Sequence, residues 1–218
     1  MAQIIPAILA TKEEDYRRDI GRIERSLLFK EGWVHIDLMD NLFVQNKSIK
    51  PSAIANNHTA LYKEAHLMVS HPLEWIDDLI SAGFKRIIFH LEAQDVVINV
   101  INQIKNQGLE VGLAIKNDTS LEKLQPFLEK LDVVLLMGVV PGFQGQKFIP
   151  ETINRIKEVV NLRSQGNYNF KIGVDGAAKD DNIKGIVEAG ADFVAVGSFL
   201  LKGDIDENLE ALWEAING

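Results

Sequence analysis

The 218-residue chain contains no cysteine. Disulfides and thiolate metal sites are thereby excluded, and the composition is compatible with a reducing cytoplasm. No apolar run approaches the ~20 residues needed to cross a bilayer. The start, Met1-Ala2-Gln3-Ile4-Ile5-Pro6, lacks the basic segment and long apolar core of a secretory signal. Clusters of Lys and Arg are missing as well, and the formal net charge is −8. Nucleic acid is therefore not an expected partner. An anionic small substrate needs a local positive site, such as backbone N–H groups or a metal, to offset this background. Linkers and low-complexity tracts are also lacking. A soluble cytoplasmic protein with no membrane or nucleic-acid partner is expected.

Hydrophobic residues make up 46% and charged residues 25%, which is ordinary for a globular protein. The length suffices for one large single-core domain. Eight short strand-like runs recur: Ile4–Leu9, Trp33–Asp37, Glu64–Met68, Arg86–His90, Glu110–Ile115, Val133–Met137, Lys171–Val174 and Phe193–Val196. Helical patterns separate most of them. A charged helix is expected over Lys12–Phe29, with Ile20, Ile23, Leu27 and Leu28 on one stripe. Others are expected from Pro72, over Asp95–Gln107 up to Gly108, near Leu121–Leu128, over Glu151–Ser164, over Asp180–Ala189 up to Gly190, and near Asp206–Ile216. Such alternation at ~25–30 residues per unit implies parallel strands with crossover helices. Eight units favour a closed (β/α)₈ TIM barrel, one domain over residues 1–218, rather than an open doubly wound sheet.

Three of the runs end in metal-type ligands: Trp33-Val34-His35-Ile36-Asp37, Ala65-His66-Leu67-Met68 and Ile172-Gly173-Val174-Asp175. Residues two apart on a strand share a face, so His35 and Asp37 can both point inward at the C-terminal end of the second strand. His66 ends the adjacent strand, and Asp175 ends the seventh, across the barrel. Barrel active sites sit at this end and draw on several strands. Two His with two Asp suit Zn²⁺ or another first-row divalent ion, and the carboxylates can also move protons. The bland alternative is four ordinary polar residues at strand ends. His58 and His71 read as surface residues; His90 reads as packing or as support behind the ligands, with a substrate contact the alternative.

Val139-Val140-Pro141-Gly142-Phe143-Gln144-Gly145-Gln146 follows the sixth run, Asp175-Gly176-Ala177-Ala178 the seventh, and Gly197-Ser198 the eighth. Glycines let backbone N–H groups turn toward an anion, and loops after strands seven and eight commonly hold phosphate in barrels. Turns need glycine anyway, so each pair alone says little. Met39, Met68 and Met137 lie at or just past strand ends. Core filling is the usual role of Met; the alternative is an apolar lining that keeps bulk water from a reactive intermediate.

At this point the sequence resembles the ribulose-phosphate 3-epimerase family nearly end to end. The matching stretches are Ile5–Leu9, Val34–Asp40, Ala65–Val69, Phe89–Ala93, Val139–Phe148, Val174–Gly176, Gly190–Asp192 and Gly197-Ser198. The resemblance implies a (β/α)₈ barrel that inverts C3 of a ketose phosphate, interconverting ribulose 5-phosphate and xylulose 5-phosphate by two-base proton transfer through an enediolate. His35, Asp37, His66 and Asp175 would hold a divalent metal, with Zn²⁺ the first choice and Fe²⁺, Mn²⁺ or Co²⁺ the alternatives. Asp37 and Asp175 would be the acid/base pair. Gly142, Phe143, Gln144, Gly145, Gly176, Ala177, Gly197 and Ser198 would face the phosphate, with His35 and His66 near the sugar. Ala7, Met39, Met68 and Met137 would line the reacting centre. A homo-oligomer is expected for so small a barrel.

The chain departs from the family pattern where substrate is touched. Ala7 stands for a usual Ser, Asn41 for a Gly, Lys116-Asn117 for Asn-Pro, Gln144 for a Gly and Ala177 for a Gly. Gly138 and Val140 replace more polar residues. Metal and acid/base positions are kept, so the reaction class is expected to survive, and the altered contacts leave open which sugar is received. One rival is a 3-epimerase of a ketohexose 6-phosphate such as allulose 6-phosphate; another is a non-catalytic paralogue that binds a sugar phosphate. The related decarboxylases and hexulose-phosphate synthases resemble a pattern with Asp and Lys two apart at a strand end. Met39 sits two after Asp37 and counts against them.

Overall fold

A computed structural model describes residues 2–29 and 32–218; the first residue of the Met1–Pro6 start lies outside them. Eight parallel strands close on themselves in sequence order. They are β1 (Gln3–Ile8), β2 (Trp33–Met39), β3 (Tyr62–Met68), β4 (Phe84–His90), β5 (Glu110–Ile115), β6 (Val133–Met137), β7 (Lys171–Asp175) and β8 (Phe193–Val196). The expected (β/α)₈ barrel is thus the observed fold. Among the described residues no helix is long and apolar enough to cross a membrane.

The strand sequences alternate because the two barrel faces differ. One face of each strand points to the helices: Val34, Ile36 and Leu38 on β2, or Ala65 and Leu67 on β3, belong to the large outer core. The other face points to the axis, where Ile5, Ile88, Ala114, Val133, Leu135, Met137 and Phe193 form a smaller inner core. Both faces are dry, so the runs look continuously apolar. Each fully buried Leu or Ile contributes about 1.5–3 kcal/mol by transfer from water. A Cβ on Gly173 would lie 2.3 Å from Phe193 Cζ, so the bare backbone there makes room for the ring at the axis.

Seven α-helices and three 3₁₀ turns lie between and after the strands among the described residues: α1 (Glu13–Arg25), α2 (Pro51–Ala55), α3 (Ile76–Ser81), α4 (Val97–Asn106), α5 (Thr152–Gln165), α6 (Ile183–Glu188) and α7 (Ile205–Asn217). The first helix ends earlier than expected. Ser26 leaves helical geometry, with ψ 137°, and its Oγ accepts from the N–H groups of Leu28 and Phe29. Leu27 and Leu28 are therefore exposed rather than part of the apolar stripe. The helix expected near Leu121–Leu128 is two 3₁₀ turns, Leu121–Leu124 and Leu128–Lys130. Pro126 lacks an N–H and so cannot continue a run of α-helical bonds, and i→i+3 bonds form on either side of it instead. The short α2 had no counterpart in the periodicity.

Candidate active site

Strand register brings the ligand-type residues together. Asp37 on β2 stands beside His66 on β3, and Met137 on β6 beside Asp175 on β7. Strands β2 and β7 are separated around the ring by β1 and β8. One donor atom each from His35, Asp37, His66 and Asp175 lie within 4.8 Å of one another. His66 Nδ1 is 2.8 Å from Asp37 Oδ1 and 3.5 Å from Asp175 Oδ2. His35 Nε2 is buried without a hydrogen-bond partner, and its nearest carboxylate oxygen, Asp37 Oδ1, is 3.4 Å away. An orphaned imidazole nitrogen aimed at two carboxylates and a second imidazole fits a divalent cation. The four residues could hold such an ion; the donor set does not choose among first-row metals.

Below this cluster runs a charged ladder that the sequence reading did not single out. His35, Glu64, Arg86 and Glu110 are register neighbours on β2, β3, β4 and β5. His35 Nδ1 donates to Glu64 Oε1 at 2.6 Å, and the other oxygen of Glu64 accepts from Arg86 at 2.6 Å. Arg86 donates on to Glu110 and lies over the Trp33 ring, 3.9 Å from its centre. Glu64 and Arg86 are buried as a pair, the condition under which interior charge is tolerated. Because Glu64 occupies Nδ1 of His35, Nε2 is the nitrogen left for the cluster. Above the ladder, His66 Nε2 lies 3.0 Å from His90 Nε2, and His90 Nδ1 lies 3.3 Å from Glu92 Oε2. His90 is thus behind His66, facing Phe43 and Glu92 rather than the cleft. A signal for this ladder existed: Glu64-x-His66 and Arg86-x-Ile88-x-His90 put polar groups on the inward face of adjacent strands.

The carboxylates titrate apart. Burial opposes charge on Asp37, but the neighbouring imidazoles of His35 and His66 outweigh it and hold Asp37 well below the usual carboxylate range. Burial and the charge of Asp37 push Asp175 up to about 6, with His35 and His66 opposing. Burial disfavours charge on His35 too, yet Asp37 and Glu64 raise it well above its ordinary value. Burial keeps His90 neutral by lowering it to about 4.

Above the cluster opens a cleft of about 610 Å³, counting space open to solvent. Asp37 and Asp175 reach its floor, with Ala7, Met68 and Met137 in its walls. Gly142, Phe143, Gln144 and Gly145 form one lip, and Gly176, Ala177, Gly197 and Ser198 the other. His35, His66 and Met39 are fully buried and lie outside this lining. His58 and His71 are in loops away from it. A Cβ on Gly138 would lie 2.3 Å from the Gly176 carbonyl oxygen, which explains the glycine there: the loops after β6 and β7 touch backbone to backbone. Asn41 and Ala177 both adopt left-handed backbone, φ 66° and φ 54°. Asn tolerates that region; Ala does so at a cost. An adjoining groove shares Gly145, Ala177 and Ser198 with the cleft and is lined by Lys147, Lys179 and Lys202. These lysines are far apart in sequence, so no basic cluster was visible there.

Comparison with known proteins agrees with the geometry. The profile described as "Ribulose-phosphate 3 epimerase family" matches residues 3–201. The chain is 35% identical over 206 residues to a ribulose-phosphate 3-epimerase of Chlamydia trachomatis, covering 92% of this chain and 87% of the relative. It is 33% identical over 213 residues to one from Schizosaccharomyces pombe, covering 95% and 90%. Among solved structures, a 3-keto-L-gulonate-6-phosphate decarboxylase from Vibrio cholerae superposes with TM-score 0.72 at 11% identity, over 99% of this chain and 97% of that one. A 3-hexulose-6-phosphate synthase superposes with TM-score 0.70 at 16% identity, covering 98% and 99%. These two likenesses concern the fold alone. The chain belongs to the ribulose-phosphate 3-epimerase family of isomerases.

Proposed function

We propose that this barrel, a single domain over residues 1–218, inverts C3 of ribulose 5-phosphate to give xylulose 5-phosphate. The observation that carries this is the pair of carboxylates, Asp37 and Asp175, at the floor of one cleft with opposed proton affinities. Inversion next to a ketone removes a proton from one face and returns one to the other. Two carboxyl groups at one floor, one of low and one of raised proton affinity, can take a proton on one face and return one on the other. In one direction Asp37 takes the C3 proton and Asp175 delivers one from the other face; in reverse the roles swap. Met68 and Met137 supply apolar walls that keep water from the carbanion-like intermediate. His35, Asp37, His66 and Asp175 would hold a divalent cation, with Zn²⁺ our first choice. When bound, it supplies Lewis acidity beside the carbonyl.

The phosphate is assigned to the Gly142–Gly145 lip and the Gly176-Ala177 and Gly197-Ser198 turns, where backbone N–H groups can face an anion. Lys147, Lys179 and Lys202 beside those turns offset the net charge of −8. A cytoplasmic homo-oligomer without nucleic-acid or membrane partners belongs to the same reading. The second reading, a ketohexose 6-phosphate such as allulose 6-phosphate, is favoured by one feature: Ala7 presents a methyl group to the cleft where a hydroxyl would be a substrate contact.

Deuterium incorporation at C3 tests both. Metal-loaded protein in D₂O is expected to exchange C3 of ribulose 5-phosphate. Exchange of allulose 6-phosphate alone would replace the pentose with the hexose. Sugar-phosphate binding with no exchange of either would leave a non-catalytic binding protein.

A further inference from the structure

His66 has a partner on each ring nitrogen. Nδ1 faces Asp37 and Asp175, while Nε2 lies 3.0 Å from Nε2 of His90. Both rings are fully buried. Two imidazole nitrogens at that distance share one proton, which allows two arrangements for neutral rings. In the first, His66 donates from Nε2, and its Nδ1, which in the metal-free site donates to Asp37 Oδ1 at 2.8 Å, gives up that hydrogen and offers its lone pair to a cation. In the second, His90 donates, and His66 carries its proton on Nδ1, where it blocks coordination of a cation.

Glu92 selects between them. Its Oε1 accepts from the backbone N–H of Lys116 at 2.9 Å, which fixes the carboxylate in place. Its Oε2 lies 3.3 Å from His90 Nδ1. A carboxylate only accepts, so His90 Nδ1 carries the hydrogen and His90 Nε2 must accept from His66. We infer that Glu92, acting through His90, holds His66 in the tautomer whose Nδ1 can bind a metal ion. The relay rests on the metal role proposed above for His66. Glu92 and His90 are positioning residues, since neither reaches the cleft floor.

The substitution Glu92→Gln keeps the size of the side chain and reverses its logic. The Lys116 N–H is a fixed donor, so the carboxamide oxygen stays on it and the NH₂ group turns to His90 Nδ1. His90 then donates to His66, and His66 Nδ1 is protonated. Zinc affinity, measured by competition with a chromophoric chelator, is expected to fall roughly 10–100-fold. Glu92→Asp is shorter but still only accepts, and is expected to retain more affinity than Glu92→Gln. A space-filling role predicts the opposite order, and that order would overturn the relay, as would unchanged affinity in Glu92→Gln. Histidine ring ¹⁵N spectra of the zinc-loaded unmutated protein provide a measurement free of folding effects. They should show His66 protonated at Nε2 and His90 at Nδ1; a proton on His90 Nε2 would refute the inference. If the unmutated protein binds no zinc, the metal reading itself fails and the relay with it; zinc binding with the wrong tautomer or the wrong order removes the relay alone.

Discussion

Asp37 and Asp175 reach the same nitrogen: Asp37 Oδ1 lies 2.8 Å and Asp175 Oδ2 3.5 Å from His66 Nδ1. Like charges so close cannot both be comfortable in a buried site without a cation or a shared proton. If these two are the acid/base pair, Asp37→Asn and Asp175→Asn should each lower epimerisation by roughly 10²–10⁴-fold, the usual worth of a positioned acid or base. C3 exchange and product formation measured together check this. Full activity in either variant removes that residue from the pair.

The same closeness predicts a pH dependence in metal-stripped protein. Burial and Asp37 raise Asp175 from the ordinary 3.8 to about 6. Its folded state therefore holds a proton longer than its unfolded state. The stability this contributes is complete below 3.8 and is lost as pH rises through about 6. Asp175→Asn cannot lose it. The advantage of the variant over the unsubstituted protein should grow between those limits, at up to about 1.4 kcal/mol per pH unit, the slope for one proton. Urea melts at a series of pH values read it; a constant difference would contradict the raised affinity.

Ala177 stands in left-handed backbone at φ 54°. That conformation costs a non-glycine residue roughly 1–2 kcal/mol, against roughly 0.5–1 kcal/mol of extra chain entropy lost by Gly. Ala177→Gly should therefore stabilise the barrel by about 0.5–1 kcal/mol. If only the N–H of residue 177 meets the phosphate, KM should stay near its original value. Gly138→Ala should do the reverse. Its methyl group would sit 2.3 Å from the Gly176 carbonyl oxygen, costing roughly 1–3 kcal/mol by overpacking and spreading the two phosphate-side loops. Thermal melts and KM for the two variants separate these effects, and a neutral Gly138→Ala would mean the loops have slack.

The three lysines beside the phosphate turns should act on encounter. Lys147→Ala combined with Lys202→Ala should raise KM with little change in kcat, and should flatten the rise of KM with salt. Lys179 is less informative, because its Nζ already pairs with Asp181 at 2.6 Å. An unchanged salt profile would place the phosphate elsewhere.

Much of this was legible before any coordinates. The inward positions of β2, β3 and β7 follow from a period of two, so His35, Asp37, His66 and Asp175 could be grouped from spacing and an eight-unit count. Two of the helices were misjudged for local reasons, the Ser26 turn and the break at Pro126. Buried Glu64 and Arg86 were overlooked because each, alone in a sequence, looks like a solvated charge; they are tolerable only as neighbours across a strand pair.

By itself the sequence determined the alternation of strand and helix, the closed barrel, the family and the strand ends that carry chemistry. Those follow from local periodicity and short motifs. Tertiary structure alone decided which distant groups share a proton, a charge or a surface. Strand register set Glu64 and Arg86 in line beside His35, and put His90 behind His66. Closure of the ring brought Asp175 to Asp37 and raised its proton affinity, and folding gathered Lys147, Lys179 and Lys202 into one groove. Electrostatic effects of this kind depend on distance and burial in space, and neither is written in the order of residues along the chain.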